Sequence, residues 1–150
     1  MRVVIQRCKN AQVTINNVAV SSVQGGMVVL LAVEDTDTQA DIDWLTGKIV
    51  GLRIFDDENS VMNLNILQTG GDIMVVSQFT LFASTKKGNR PSYLRSSKPD
   101  FALPMYERFV ASLQKVLGKP VATGRFGADM QVSLCNDGPV TIIIDTKLKE

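Results

Sequence analysis

Gly25-Gly26-Met27-Val28-Val29-Leu30-Leu31-Ala32-Val33 is the stretch whose reading decides the fold. The paired glycines signal a turn. The apolar run behind them stops at Glu34 and Asp35 and has the length and β-branched content of a buried strand. Gly70-Gly71 repeats the device ahead of Ile73-Met74-Val75-Val76, a second buried strand that runs directly into Ser77-Gln78-Phe79-Thr80. Upstream, Val3 to Ile5 and Ala11 to Ile15 read as two short strands, with Asn16-Asn17 as a turn.

A helical pattern lies between the two buried strands. Asp35 to Asp37 supply N-cap candidates, and Ile42, Leu45, Ile49 and Leu52 recur at helical spacing. Gly47 and Gly51 weaken such a helix by up to ~1 kcal/mol each relative to alanine, which close packing against a neighbour would explain. Asp56-Asp57-Glu58-Asn59 makes a turn. A second helix starts at Pro99-Asp100, where the first turn tolerates proline. Tyr106, Phe109, Val110, Leu113 and Leu117 form its apolar stripe, and Gly118 with Pro120 ends it. Val121 to Phe126 and Met130 to Cys135 read as strands, Asn136-Asp137-Gly138 as a turn, and Val140 to Ile144 as a final β-branched strand. No linker or repeat divides the chain. The order predicts one α/β domain over residues 1–150, with mixed β-sheets forming a barrel-like core covered by two main helices. It does not match alternating βαβ units. Neither G-x-G-x-x-G nor G-x-x-x-x-G-K-[ST] occurs, which argues against a nucleotide cofactor.

Composition narrows the chemistry. The chain has no histidine, which excludes Ser-His-Asp and Cys-His catalysis and imidazole-ligated zinc. Cys8 and Cys135 lie far apart, outside any C-x-x-C pattern, and read as two small buried hydrophobes in a reducing compartment. No metal and no cofactor is expected. Nothing at the N-terminus reads as a signal peptide, and no apolar stretch approaches the roughly 18 to 20 residues that span a bilayer. A soluble cytoplasmic protein without membrane contact is therefore expected. A net charge of +1 does not suit a strongly basic nucleic-acid coat. The basic residues are nonetheless clustered. The segment TKKGNRPSYLRSSK, Thr85 to Lys98, carries Lys86, Lys87, Arg90, Arg95 and Lys98 with no acidic residue among them. A solvated loop is its plain reading.

Two short segments carry candidate chemistry. Ser77-Gln78-Phe79-Thr80 sets three polar side chains where a buried strand stops, beside backbone N–H groups able to hold a developing oxyanion. It reads equally as an ordinary strand end. Asn136-Asp137-Gly138-Pro139-Val140-Thr141 fits a tight trans hairpin turn entering an edge strand. It fits as well a cis Gly-Pro bond that would present a rigid backbone wall.

Together these two segments resemble the signature pair of the D-aminoacyl-tRNA deacylase family, also described as D-tyrosyl-tRNA(Tyr) deacylase. Val4-Ile5-Gln6-Arg7, Arg53-Ile54-Phe55-Asp56, Met62-Asn63-Leu64-Asn65, Arg90-Pro91-Ser92 and Gly124-Arg125-Phe126-Gly127-Ala128-Asp129-Met130 extend the resemblance over essentially the whole chain. It implies a homodimeric hydrolase, with each site near the subunit interface. Such an enzyme cleaves the ester joining a D-amino acid, or glycine, to the terminal ribose of tRNA and spares L-aminoacyl-tRNA. It implies that Ser77, Gln78, Phe79 and Thr80 line the catalytic side, with the Phe79 and Thr80 amides holding the ester carbonyl. Gly138 and Pro139 would form a cis peptide that reaches into the partner's pocket and crowds out an L side chain. Phe126 and Met130 would pack on the terminal adenine, and Arg7 would brace the site. Lys86, Lys87 and Arg90 would contact phosphates of the acceptor end. No base accompanies Thr80, so the tRNA's own 2′-OH is the expected helper, with a nucleophilic Thr80 the other mechanism. A non-catalytic RNA-binding module and a threonine- or serine-dependent hydrolase of small esters are the competing readings.

Overall fold

A computed structural model describes residues 1–149, and its longest pairing is between two strands that the sequence breaks into four. β1 (Arg2–Ile15) is continuous, where Val3 to Ile5 and Ala11 to Ile15 read as separate strands. β8 (Gln131–Asp145) is likewise continuous, and the expected Asn136-Asp137-Gly138 hairpin turn does not exist. The two run antiparallel along their whole length. Polar residues interrupt the pattern at Gln6 to Asn10, but the backbone stays extended because β8 satisfies its hydrogen bonds. The cost appears as irregularity. Gln6 pairs with Thr141 and Cys8 with Asn136, so residues 137–140 of β8 bulge out of the ladder opposite Arg7. The Gly138-Pro139 bond inside that bulge is cis.

On its other side β1 pairs first with β3 (Gly26–Ala32) and then with β2 (Val18–Val23), both antiparallel. The β1–β2 turn is Asn16-Asn17, with φ of 50° and 61°, left-handed values that asparagine tolerates best after glycine. β3 then pairs in parallel with β6 (Asp72–Ser77), and β6 in parallel with β7 (Ala122–Thr123). Parallel neighbours require crossovers. The first contains α1 (Gln39–Gly51), a small hairpin of β4 (Phe55–Asp56) and β5 (Met62–Leu64), and the short α2 (Ile66–Thr69). The second is a 3₁₀ turn (Phe79–Phe82) followed by α3 (Pro99–Leu117). The chain thus holds two βαβ crossovers that its element order conceals. The concealment has a simple cause: β7 is two residues long, where Val121 to Phe126 reads as a full strand.

The sheet is buried on both faces. Val3, Ile5, Met27, Val29, Leu31, Ile73 and Val75 pack against α1 and α3, including Ile42, Leu45, Ile49, Phe109 and Leu113. Alternate residues Val28, Met74 and Val76 turn the other way, into a second cluster with Val13, Ile15 and Val23. The sheet curls around this second cluster, and Ser21 Oγ donates to Thr123 O at 2.7 Å to tie β2 to β7. This is the mixed, barrel-like core under two main helices that the pattern predicts.

Three local expectations fail. The N-cap of α1 is Thr38, whose amide donates to Asp41 Oδ2 at 2.9 Å, and not a residue of Asp35 to Asp37. Asp37 is instead buried, accepting from Glu34 N at 2.8 Å and pairing with the α-amino group of Met1. Gly47 and Gly51 pack against nothing, since a Cβ on either would meet no atom within 4 Å. Cys8 is buried but Cys135 is exposed, because it points outward from β8. Among the described residues no helix is long and apolar enough to cross a membrane.

Candidate active site

Three parallel strands end on the same side of the sheet, and the segments that leave them converge. Leu31 and Val33 come from the end of β3, Ser77, Gln78 and Phe79 from the end of β6, and Phe126, Asp129 and Met130 from beyond β7. Between them lies a cavity of about 550 Å³, closed on the helix side by Ala102 and Tyr106 of α3. Carboxyl ends of parallel strands are where α/β sheets offer crevices, because the crossovers splay apart there. The walls are mostly apolar, with a few polar groups at one end, the make-up of a small-molecule subsite.

The polar end is the turn after β6. Gln78 N donates to Leu31 O at 2.7 Å, which carries the β3–β6 pairing one residue past the strand. The chain then tightens into the 3₁₀ turn, with Leu81 N donating to Gln78 O at 3.2 Å. The first amides of such a turn have no partner within it, so the N–H groups of Phe79 and Thr80 donate to no partner among the described residues. The turn is pinned from outside. Ser96 Oγ donates to Phe79 O at 2.6 Å, and the Phe79 ring meets Tyr93 edge-on at 5.3 Å. Gln78 Nε2 donates to Thr80 Oγ1. Thr80 itself does not line the cavity, and no carboxylate or amine lies in hydrogen-bonding reach of its hydroxyl among the described residues.

Phe126 and Met130 form the opposite wall. Phe126 leans on Tyr106 at 5.8 Å, and the Tyr106 hydroxyl donates to Val75 O at 3.0 Å. Burial pushes the Tyr106 phenol up to about 12, so it remains a neutral donor at any working pH. Met130 is held by Gly124, where a Cβ would sit 2.3 Å from its sulfur. Ser97 also lines the cavity, and its buried hydroxyl is the one side-chain polar atom of its kind without a partner among the described residues.

The remaining sequence candidates form other groups. Arg7 does not line the cavity that Phe126 and Met130 line. Its guanidinium is buried under the β8 bulge, donating to Ile54 O at 2.7 Å and to Asp137 O at 3.2 Å, beside the Asp56 and Asp137 carboxylates. Gly138 lies directly on it, since an added Cβ would be 3.1 Å from Arg7 Nη2. Neither Gly138 nor Pro139 lines the cavity of its own chain. Lys86, Lys87 and Arg90 sit exposed on a loop closed by the Ser84–Ser92 bridge. Arg95 of the same basic segment is committed structurally, pairing with Glu34 at 3.3 Å and stacking on Phe82 at 4.7 Å. Ser96, Ser97, Ala102 and Tyr106 are among the residues that sequence reasoning left out of the site. Tyr106 carries a signal, since it belongs to the α3 stripe yet ends in a hydroxyl. The others carry none.

Residues 4–145 match the family described as D-Tyr-tRNA(Tyr) deacylase. The chain is 61% identical over 150 residues to the D-aminoacyl-tRNA deacylase of Flavobacterium johnsoniae, covering all of both chains. It is 61% identical, again over the full length of both, to the D-aminoacyl-tRNA deacylase of Bacteroides fragilis strain YCH46. Among solved structures it is similar to the c-Myc DNA Unwinding Element Binding Protein, with TM-score 0.92 and 35% identity over 97% of this chain and 98% of that one.

Proposed function

From the premise that the chain belongs to the D-Tyr-tRNA(Tyr) deacylase family, a family of ester hydrolases, we propose that it releases the D-amino acid from D-aminoacyl-tRNA and rejects the L-ester. Glycine, having no side chain to reject, is accepted as well. The observation that carries this reading is the convergence of Ser77, Gln78 and Phe79 with Phe126 and Met130 on one cavity. Phe126 and Met130 take the terminal adenine between apolar surfaces. The ester carbonyl then meets the free Phe79 and Thr80 amides. As water attacks the carbonyl carbon, negative charge grows on its oxygen and these donors stabilise it. Preorganised donors of this kind are worth ~3–4 kcal/mol each when removed. The tetrahedral intermediate collapses with loss of the ribose 3′-oxygen, which leaves as the hydroxyl, and the neighbouring 2′-OH positions the water. Thr80 Oγ1 accepts from the Gln78 amide and has no base beside it among the described residues, so it orients rather than attacks. Its replacement by alanine retains substantial activity, whereas complete loss with tRNA still bound would establish a chemical role for threonine.

Chiral selection falls to the Gly138 and Pro139 backbone, acting from a second copy of the chain. Two observations support a dimer. Gly138 and Pro139 do not line their own cavity, and among the described residues β8 pairs with β1 alone, leaving a fifteen-residue edge on which Ile143 is 68% exposed. Lys86, Lys87 and Arg90 contact acceptor-end phosphates, and the work is cytoplasmic. The decisive experiment offers the purified protein matched D- and L-tyrosyl-tRNA with a chelator present. Release from the D-ester alone supports the reading. Equal rates remove the backbone wall, and no release from either leaves an RNA-binding module.

A further inference from the structure

Outside the cavity, one feature of the same region has no assigned role. A groove of about 510 Å³ runs between α3 and residues 123–126, lined by Leu103, Glu107, Val110, Ala111, Arg125 and Phe126. It is the cavity's neighbour, because Tyr106 and Phe126 line both and their paired rings form the partition. Arg125 stands at the groove exposed, and its guanidinium takes part in none of the ion pairs among the described residues. Its backbone is nonetheless fixed. Ala128 N donates to Arg125 O at 3.1 Å across a turn in which Gly127 has φ of +74°.

The chemistry of the groove selects its occupant. Leu103, Val110 and Ala111 offer apolar surface for the flat face of a base. Glu107 opposes a bare phosphate in the groove but accepts from an exocyclic amine, as carboxylates do from cytosine N4. Arg125 suits a phosphate, with a planar fork of donors that matches its oxygens. Base, amine and phosphate, placed one partition away from a nucleoside cavity, describe one more nucleotide.

We propose that this groove seats the nucleotide immediately 5′ of the terminal nucleoside of the tRNA. Arg125 takes the phosphate joining the two, and Glu107 accepts from the amine of the upstream base. The assignment rests on the deacylase reading, because it needs the terminal nucleoside in the cavity.

Two non-hydrolysable amide analogues test it as inhibitors of D-tyrosyl-tRNA hydrolysis: 3′-D-tyrosylamino-adenosine, and the same compound extended to the cytidylyl dinucleotide. The wild-type protein binds the dinucleotide more tightly, by roughly tenfold for one charged hydrogen-bonded contact. In Arg125→Gln the ratio of the two inhibition constants falls by about that tenfold share, leaving only what the base contributes. That preference also weakens with salt, at about 0.7 in the log–log slope per phosphate on a single strand. Replacing cytidine by uridine, which offers an acceptor where cytidine offers the amine, costs affinity in the wild type and not in Glu107→Ala. A ratio of one in the wild type, or one unchanged in Arg125→Gln, overturns the assignment, as does failure of both analogues to inhibit an active enzyme. If D-tyrosyl-tRNA itself is not hydrolysed, the deacylase reading fails and the groove assignment with it.

Discussion

Arg7→Lys keeps the charge and removes the fork, so it isolates what the fork does. Arg7 is 6% exposed and reaches two carbonyls in different directions, Ile54 O at 2.7 Å and Asp137 O at 3.2 Å. Two nearby carboxylates add to this at 3.3 Å and 3.2 Å, but Asp56 is 50% and Asp137 33% exposed, so solvent screens most of that attraction. A lysine carries its three N–H donors on one nitrogen and cannot span two carbonyls that Arg7 meets with separate nitrogens, Nε and Nη1. The Ile54 bond is the buried one, and leaving such an acceptor unpaired costs ~1–3 kcal/mol. The expected loss is therefore about 2 kcal/mol, a drop of roughly 4–8 °C in Tm for a domain of this size. Urea unfolding measures it as a lower midpoint at unchanged slope. Because Gly138 lies on the same guanidinium, the D-to-L rate ratio falls as well, mainly through faster L-ester hydrolysis. An Arg7→Lys variant within about 0.5 kcal/mol of wild type, the range of ordinary surface changes, with its D-to-L ratio intact, would refute the idea that the fork holds the bulge.

Other expectations are simpler to state. Gly26→Ala places a Cβ 1.9 Å from Asp72 O at φ +139°, where backbone cannot yield, so Tm falls by at least ~10 °C or soluble protein is lost. Gly47→Ala, with nothing within 4 Å, raises stability by up to ~1 kcal/mol in the same melt. Acid stability follows from Asp41 and Asp145. Burial pushes both carboxyls up, but hydrogen bonds from Lys147, Thr146 and Thr38 to Asp41, and from Lys147 and Arg2 to Asp145, outweigh it and hold both below the ordinary carboxylate range. Their folded values are depressed, so their contribution is present above about pH 4 and is lost as pH falls through the folded values. Lys147→Met flattens that acid limb in pH-dependent melts. A native thiol titration finds Cys135 reactive and Cys8 not, since Cys8 is buried and its thiol is pushed up by burial first and by the Asp137 charge second. Reaction of both at equal rates without denaturant would contradict that burial.

The sequence foretells some elements of this fold better than others. Met27 to Val33 and Ile73 to Val76 are legible because a strand buried on both faces has no polar face to interrupt it. The two helices are legible because Ile42, Leu45 and Ile49, and Phe109 and Leu113, keep a helical period. The continuity of β1 and β8 is not, since Gln6 to Asn10 and Asn136 to Pro139 read as breaks. They stay extended only because each strand supplies the other's hydrogen bonds, and that partner lies some 130 residues away. The parallel crossovers are hidden for a similar reason: two residues of β7 suffice once β6 is in place. The cavity is half legible. Ser77 and Gln78 stand out as polar groups at a strand end, while Ala102 and Tyr106 look like helix core because they are that as well. Arg7 and Gly138 are adjacent only through the strand register, which no local pattern encodes.

That register has a further consequence for how this protein can vary. The bulge at residues 137–140 is anchored on both flanks, by Gln131 to Asn136 against β1 on one side and Thr141 to Asp145 on the other. An insertion in either flank would slip a paired strand by one position and turn its inward side chains outward. An insertion within the bulge, beyond the Arg7-held Asp137, leaves both flanking ladders in register. The span bearing Gly138 and Pro139 is thus a finger of adjustable length mounted on a fixed frame. Its reach can be tuned, by selection or by design, without asking the barrel to refold.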